Sequence, residues 1–144
     1  EIAPDETVLE VGTGSGFITA CLARLASHVV SVDIFESFTE DVRRRFVEHG
    51  LENVDLHTGD VMHGWQPEQA QDVVVITGSV PEIPEAFQGW VNPGGRLFCI
   101  TGQSPAMEAV LLTRLNATEW RRESLFETDL PALVNSVKPD EFEF

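Results

Sequence analysis

Short apolar runs alternate with amphipathic stretches along the first two thirds of the chain. Five runs have strand character: residues 7–11, 28–33, 54–58, 72–77 and 96–100. The run DVVVIT at 72–77 is almost continuously apolar and β-branched, which is typical of a strand covered on both faces. Helical patterns lie between the strands at 17–26, 37–49 and 81–90. This alternation predicts a parallel sheet with right-handed crossovers.

The helical stretches carry local signals of where they begin, end and pack. The first is expected to bury one face, made of Phe17, Ala20, Cys21 and Leu25. The second is expected to begin at Ser37, because Ser37 and Glu40 have the spacing of a capping box. Gly50 is a natural end for that helix, and Pro84 is expected to open the short third helix.

The last third of the chain departs from this alternation. Two strand-like runs at 108–115 and 120–128 are separated by four polar or small residues, a spacing that suits an antiparallel hairpin. A turn is expected at 92–95, and residues 131–134 are expected to pack as a short apolar segment. Together the runs predict an α/β fold with a mostly parallel seven-stranded sheet, helices on both faces and a C-terminal antiparallel hairpin.

Length and composition narrow the classes of function. The 144 residues suit one domain, expected over 1–135, followed by an acidic tail at 136–144. The first strand begins only a few residues into the chain, which suggests a piece of a longer protein. A formal net charge of −15 argues against a nucleic-acid partner, and no apolar run is long enough to span a membrane.

The cysteines and histidines give no sign of a metal site or of a disulfide scaffold. Cys21 and Cys99 fall on a predicted helix and a predicted strand, and a pair of reduced, buried thiols is the simpler interpretation. Cysteines that stay reduced favour a cytoplasmic location. The four histidines lack the spacing of metal ligands, so no metal is expected.

The strongest candidate for chemistry is the glycine-rich segment that follows the first strand. Residues 7–16 read TVLEVGTGSG, so an apolar strand meets an acid and then glycines at alternate positions, with a helix behind them. A helix amino terminus behind glycines suits a bound nucleotide or another anionic group. A dinucleotide site prefers a different glycine spacing, and Glu10 would repel a pyrophosphate. A ligand that carries an ammonium group would instead be attracted to Glu10.

Four stretches, in this order, resemble the class I S-adenosylmethionine-dependent methyltransferases, a family with a Rossmann-like fold. They are the glycine segment at 8–16, Asp33 ending the second strand, Gly59 and Asp60 ending the third, and NPGGRL at 92–97. The resemblance implies S-adenosyl-L-methionine as cofactor and S-adenosyl-L-homocysteine as product. The cofactor-binding residues that it implies are Glu10, Gly12, Thr13, Gly14, Ser15, Gly16, Asp33, Ile34, Asp60, Val61 and Thr77.

A narrower resemblance comes after the fourth strand. VITGSVPEIPEA at 75–86 is similar to the corresponding segment of protein-L-isoaspartate O-methyltransferases, and RRESLFE at 121–127 is similar to their closing strand. This family implies a peptide or protein acceptor with an isoaspartyl carboxylate, contacted by Thr77, Gly78, Ser79 and Val80. Gly78 and Ser79 stand where the family typically has two alanines. The family's segment before the first strand has no counterpart in residues 1–6.

No catalytic side chain is implied, because a carboxylate acceptor is already an anion and needs alignment more than a base. Three other functions stay open. The chain could methylate a small molecule or RNA, with RNA disfavoured by charge. It could bind the cofactor without turnover, or it could be an NAD-linked oxidoreductase.

Overall fold

The computed structural model describes residues 1–136, which build one seven-stranded sheet in the order β3-β2-β1-β4-β5-β6-β7. The strands are β1 (Thr7–Val11), β2 (His28–Asp33), β3 (Val54–Thr58), β4 (Gln71–Val80), β5 (Val91–Gln103), β6 (Ala106–Arg114) and β7 (Trp120–Thr128). Neighbours among β1 to β5 pair in parallel, and β6 and β7 add an antiparallel hairpin at one edge. The predicted sheet and hairpin are confirmed.

Three helices cover the sheet: α1 (Phe17–Leu25), α2 (Glu36–Glu48) and α3 (Glu85–Gln88). Alternate residues of β1 face opposite sides, as the pleat of a strand requires. Val8 packs in a cluster with Leu22 of α1, whereas Leu9 packs in a separate cluster with Phe87 of α3. Helices therefore lie on both faces of the sheet, as predicted.

The buried face of α1 differs from the predicted one. Phe17 is 70% exposed, Leu25 is 52% exposed and Cys21 is exposed as well. The helix instead buries Thr19, Leu22 and Ala23. The hydroxyl of Thr19 donates to the buried Glu10 carboxylate, and that pairing fixes the rotation of the helix with Phe17 turned outward.

The start of α2 also differs from the prediction. The helix begins at Glu36 with Phe35 at its N-cap, and no side chain caps it, so Ser37 lies inside the first turn. The backbone N–H of Phe35 donates to Asp33 at 2.9 Å, so the end of β2 shapes the entry into the helix. Gly50 follows the helix with a positive φ of 68°, as its predicted role at the end of α2 requires.

Two irregular pairings shape the middle of the sheet. The predicted turn at 92–95 lies within β5 as a bulge, because the pairing with β4 shifts between Gln71 and Val73. A second shift separates Val75 from Ser79, just beyond the last pair between β1 and β4. There β4 leaves an edge that β1 no longer covers.

That uncovered edge of β4 is occupied by residues 130–136, which we call the strap. The Ser79 N–H donates to the Pro131 carbonyl at 3.0 Å, and the Leu133 N–H donates to the Ser79 carbonyl at 2.8 Å. Leu133 packs against the main core cluster. The predicted apolar segment at 131–134 thus extends the sheet by a short parallel bridge.

Two expectations are only partly covered by the described residues. Of the predicted tail at 136–144, Ser136 is described and 137–144 lie outside the described residues. Within residues 1–136, no helix has the length and apolar character needed to cross a membrane.

Candidate functional site

The carboxyl ends of β1, β2 and β4 meet at one edge of the sheet, where open α/β sheets bind ligands. A cavity of about 170 Å³ lies there, which we call the ligand cavity. Of the predicted site residues, Gly12, Asp33, Ile34, Asp60 and Val61 line it. A larger groove of about 860 Å³ lies near the opposite strand ends, beside Thr7, His28 and Asp72. The convergence of predicted residues places the candidate site in the smaller cavity.

All three glycines of the glycine-rich loop (residues 12–16) have a positive φ, and at two of them a Cβ would also clash with a neighbouring side chain. Gly12 has a φ of 101°, and a Cβ there would lie 2.3 Å from the Thr77 hydroxyl oxygen. Gly16 has a φ of 78°, and a Cβ would lie 2.8 Å from the Val42 side chain. Gly14 has a positive φ but only open space around its missing Cβ. The backbone at Gly14 is therefore accessible to a ligand.

Asp33 connects the loop to the second strand. Its Oδ2 accepts a hydrogen bond from the Gly14 N–H at 2.9 Å, and its Oδ1 accepts one from the Phe35 N–H at 2.9 Å. The residue is only 8% exposed and lines the ligand cavity. Each oxygen keeps acceptor capacity beyond these bonds. The carboxylate can therefore shape the loop and accept hydrogen bonds from a ligand at the same time.

Asp60 lies across the cavity, in the loop after β3. Its Oδ1 accepts from the Met62 N–H at 2.9 Å, and its Oδ2 lies 2.8 Å from His63 Nδ1 and 2.7 Å from Asn135 Nδ2. Burial opposes ionisation, but these donors outweigh it and lower the pKa of Asp60. Asp60 is thus held as a carboxylate in the cavity lining, to which Val61 and Ile34 also contribute.

Glu10 does not line the ligand cavity, contrary to the expectation that its carboxylate lies beside the loop and attracts the ammonium group of a ligand. The side chain is 0% exposed and accepts hydrogen bonds from Ser31 at 2.6 Å and from the Thr19 hydroxyl. Its Oε1 has no hydrogen-bond partner among the described residues. Burial raises its pKa to about 7, against the hydrogen bonds of Ser31 and Thr19, with Asp33 adding a smaller upward effect.

Thr13 and Ser15 occupy different environments within the loop. The Thr13 hydroxyl is buried and lies 2.7 Å from the Ser31 hydroxyl, so Ser31 links the loop to Glu10. Ser15 is exposed, and its carbonyl accepts from Arg45 of α2 at 2.8 Å. Thr13 therefore anchors the loop from below, and Ser15 lies on its outer side.

The residues predicted to contact an acceptor are mostly covered. The Thr77 hydroxyl donates to the carbonyls of Val11 and Gly12, 2.8 Å from each, and so ties β4 to the loop. Ser79 and Val80 are fully buried, and the Ser79 hydroxyl donates to the Leu130 carbonyl at 2.9 Å. Thr77 and Gly78 are the half-buried members of the set.

Sequence reasoning missed several contributors to the site. Phe35 and Phe38 line the ligand cavity as an edge-to-face pair with ring centroids 5.6 Å apart, and Ala132, Leu133 and Val134 of the strap complete its wall. The two phenylalanines follow the predicted acid of β2 within five residues, and their spacing across the start of α2 is the signal in the sequence that indicates them. The apolar character of the strap is visible in the sequence, but its place beside the cavity is not, because its partner Ser79 lies about fifty residues earlier in the chain. Within 1–136 no cluster of metal-ligating side chains occurs.

Comparison with known proteins gives a consistent result. The family model of protein-L-isoaspartate(D-aspartate) O-methyltransferase (PCMT) matches residues 1–130. The chain is 34% identical over 137 residues to a protein-L-isoaspartate O-methyltransferase of Brucella anthropi, covering 94% of this chain and 63% of the relative.

Two solved structures are similar as well. A protein-L-isoaspartate O-methyltransferase superposes with a TM-score of 0.80 at 26% identity, over 91% of this chain and 43% of that one. A Plasmodium falciparum protein assigned to the same class, solved with S-adenosyl-L-homocysteine, has a TM-score of 0.77 at 16% identity, over 91% of this chain and 66% of that one. The second likeness shows the fold alone.

The matches cover most of this chain but only part of the length of its relatives. The chain spans 63%, 48% and 64% of the length of three curated relatives. The resemblance read from the glycine-rich loop, Asp33 and the segment after β4 is thereby confirmed at the level of the family. This chain belongs to the protein-L-isoaspartate(D-aspartate) O-methyltransferase family.

Proposed function

We propose that this chain binds S-adenosyl-L-methionine across the glycine-rich loop and the ligand cavity, with S-adenosyl-L-homocysteine as the product. The observation that carries the proposal is the Asp33 carboxylate, which holds the Gly14 N–H and also lines the cavity. The open space above Gly14 is where a ligand can lie against backbone. The cavity alone is smaller than a usual site for a whole ligand, so the rest of the cofactor lies along the open loop.

The proposed contacts follow from the chemistry of each group. Asp33 accepts from the two ribose hydroxyls, a bidentate use of one carboxylate. Ile34 and Val61 flank the adenine ring, and Asp60 accepts from its amino group. The loop from Gly12 to Gly16 supports the methionine end with backbone groups. The side chains of Glu10 and Thr13 are buried beneath the loop and do not touch the ligand.

The proposed acceptor is a carboxylate on an isoaspartyl residue of a peptide or protein, as the names of the family and of its relatives indicate. When bound, S-adenosyl-L-methionine supplies an electrophilic methyl group on a sulfonium. The chain's own contribution is to hold the donor and the acceptor in line, which can lower a barrier substantially without an acid or a base. Thr77 and Gly78 lie at the strand end where such an acceptor would approach. The role that follows is repair of damaged protein.

A second candidate is a cofactor-binding module without turnover. It is favoured by one specific observation: the chain spans only about half to two thirds of the length of the curated relatives. An acceptor site built in part from the remaining length of those relatives would leave this chain with cofactor binding alone. Two free thiols, one of them the exposed Cys21, favour a reducing compartment, and we propose the cytoplasm.

Calorimetric titration with S-adenosyl-L-homocysteine, with NAD as the control ligand, tests the cofactor. Saturable binding of the first ligand alone is expected, and binding of NAD alone would overturn the proposal. Methyl transfer to an isoaspartyl peptide is then compared with transfer to the same peptide carrying normal aspartate. Transfer to the isoaspartyl peptide only is expected of the enzyme. Cofactor binding without transfer would identify the binding module.

A further inference from the structure

The strap and Asp60 are joined at a single point beside the ligand cavity. Asn135 Nδ2 lies 2.7 Å from Asp60 Oδ2, although the two residues are 75 positions apart in the chain. Because an ionised carboxylate can only accept, the amide of Asn135 must present its NH₂ group to it. The hydrogen bond therefore connects the strap to the loop that follows β3.

The backbone at Asn135 indicates that this position is held in place. Its φ is 65°, and no other non-glycine residue within 1–136 has a positive φ. Left-handed backbone costs free energy for a residue with a Cβ, although asparagine tolerates it better than most. The left-handed residue is thus also the strap residue whose side chain donates to Asp60. The chain turns there in the conformation that delivers the amide to the carboxylate.

The rest of the strap is fixed on its other side by β4. The Leu133 N–H donates to Ser79, and the Leu133 side chain lies where a Cβ of Gly78 would be, 2.6 Å from its Cδ2. Ala132, Leu133 and Val134 between these two fixed points line the ligand cavity. The wall is therefore held at one end by backbone pairing with Ser79 and at the other by Asn135.

We propose that Asn135 is a positioning residue, which orients the Asp60 carboxylate and holds strap residues 132–134 as one wall of the ligand cavity. The inference rests on the proposed function, because the ligand is taken to be the adenosine part of S-adenosyl-L-methionine. Asn135 acts through Asp60 and through the strap and does not itself touch the ligand. The same hydrogen bond then holds the strap in place and orients the Asp60 carboxylate. Ligand binding and ordering of the strap therefore strengthen each other.

Three substitutions separate the hydrogen bond from the backbone strain. Asn135→Ala removes the bond and keeps a Cβ at the left-handed position. Asn135→Gly also removes the bond but relieves the strain, since glycine adopts a positive φ readily. Asn135→Asp keeps the shape and places a second carboxylate against Asp60. Asn116→Ala is the matched control, because Asn116 bonds to Glu119 within the β6–β7 turn, which follows the end of β6 that pairs with the amino-terminal half of β5.

The first measurement is hydrogen exchange of the Leu133 amide in the free protein. Faster exchange is expected in all three Asn135 variants and no change in Asn116→Ala. A saturating concentration of S-adenosyl-L-homocysteine is expected to slow this exchange in the wild type. This arm tests the link between Asn135 and the strap even if the ligand fails to bind.

The second measurement is the dissociation constant for S-adenosyl-L-homocysteine by calorimetry. Asn135→Ala and Asn135→Gly are expected to weaken binding about fivefold, the effect of one partly exposed hydrogen bond to a charged group. Asn135→Asp is expected to weaken it further, and Asn116→Ala to leave it unchanged. The inference would be overturned if the wild type binds the ligand and Asn135→Gly shows the same affinity and the same Leu133 exchange rate as the wild type. No binding by the wild type would instead overturn the proposed function.

Discussion

The Asp33 carboxylate accepts a hydrogen bond from the Gly14 backbone at 2.9 Å, so the acid of β2 and the middle of the glycine-rich loop form one unit. The other oxygen of Asp33 holds the Phe35 N–H at the start of α2. One side chain therefore positions the glycine-rich loop and the start of α2, and it also forms part of the lining of the ligand cavity. A change at Asp33 must alter all three at once.

Asp33→Ala is expected to abolish measurable binding of S-adenosyl-L-homocysteine. The variant loses the acceptor for two ribose hydroxyls and also the bond that positions Gly14. Hydrogen bonds to a charged group are worth about 1.5–3 kcal/mol each, so the loss should exceed about a hundredfold in affinity. Calorimetry is the measurement, and Asp55→Ala, at an exposed acid on β3, is the control. Affinity within threefold of the wild type in Asp33→Ala would contradict the site.

The number of strands, the parallel pairing of the first five and the antiparallel hairpin could be predicted from the sequence, because apolar runs alternate with helical patterns until the last third of the chain. The side to which an individual side chain points could not. Glu10 stands next to Val11 in the motif, yet the pleat turns Glu10 beneath α1 and Val11 toward the ligand cavity. The rotation of α1 follows from that buried carboxylate, and no periodicity of apolar residues around Phe17 reports it.

The position of the strap beside β4 could not be predicted for a different reason. The strap's contacts with Ser79 and Asp60 join residues that are 51 to 75 positions apart, and they are made by backbone groups, the Ser79 hydroxyl and the Asn135 amide. Local patterns carry no information about such pairings. The sequence therefore predicts acceptor contacts along the end of β4, whereas in the structure the strap covers Ser79.

Gly12→Ala is expected to destabilise the fold more than Gly94→Ala does. Both glycines have a positive φ, 101° and 82°, so both substitutions carry a backbone cost of about 1 kcal/mol. Only at Gly12 does the new Cβ meet another atom, the Thr77 hydroxyl at 2.3 Å, whereas Gly94 has open space. Overpacking adds about 1–3 kcal/mol. Urea unfolding measures the difference, and equal costs for the two variants would contradict the close approach of Thr77.

Arg96→Gln is expected to destabilise the protein at pH 7 and to do so less as the pH falls toward 2. Arg96 pairs with both oxygens of Glu6, at 2.7 and 3.0 Å, and this bond lowers the pKa of Glu6 from 4.5 to about 2. The native state thus binds the Glu6 proton more weakly than the unfolded chain does. The contribution of the Glu6–Arg96 pair to the free energy of unfolding is fully present above pH 4.5 and is lost as the pH falls through about 2.

The two groups of this pair are about one-fifth exposed, so a cost of about 1–2 kcal/mol at pH 7 is expected for Arg96→Gln. Arg121→Gln is the control, because the Arg121–Glu123 pair is exposed and should contribute less than about 0.5 kcal/mol. Urea unfolding at pH 7 and pH 3 gives both values. A cost for Arg96→Gln that does not shrink at pH 3 would exclude the ion pair as its source.

Glu10→Gln is expected to make the protein more stable than the wild type above pH 7 and to change little at pH 5. Burial raises the pKa of Glu10 from 4.5 to about 7, so the native state binds this proton more tightly than the unfolded chain. The wild type should therefore lose stability as the pH rises from 4.5 to about 7 and stay level above that. A glutamine cannot ionise, but it can still accept hydrogen bonds from Ser31 and Thr19. The stability difference between the two proteins should grow by up to about 3 kcal/mol across that range.

Glu48→Gln, at an exposed glutamate of α2, is the matched control and should follow the wild type at every pH. Urea unfolding of the three proteins at pH 5, 6, 7 and 8 separates them. A constant difference between Glu10→Gln and the wild type would mean that Glu10 is ionised throughout this range, which would contradict the raised pKa. A difference that grows with pH would mean that the glycine-rich loop is supported by a neutral acid at pH 5 and by a carboxylate at pH 8. Because Ser31 joins Glu10 to Thr13, any dependence of ligand affinity on that proton should disappear in Glu10→Gln as well.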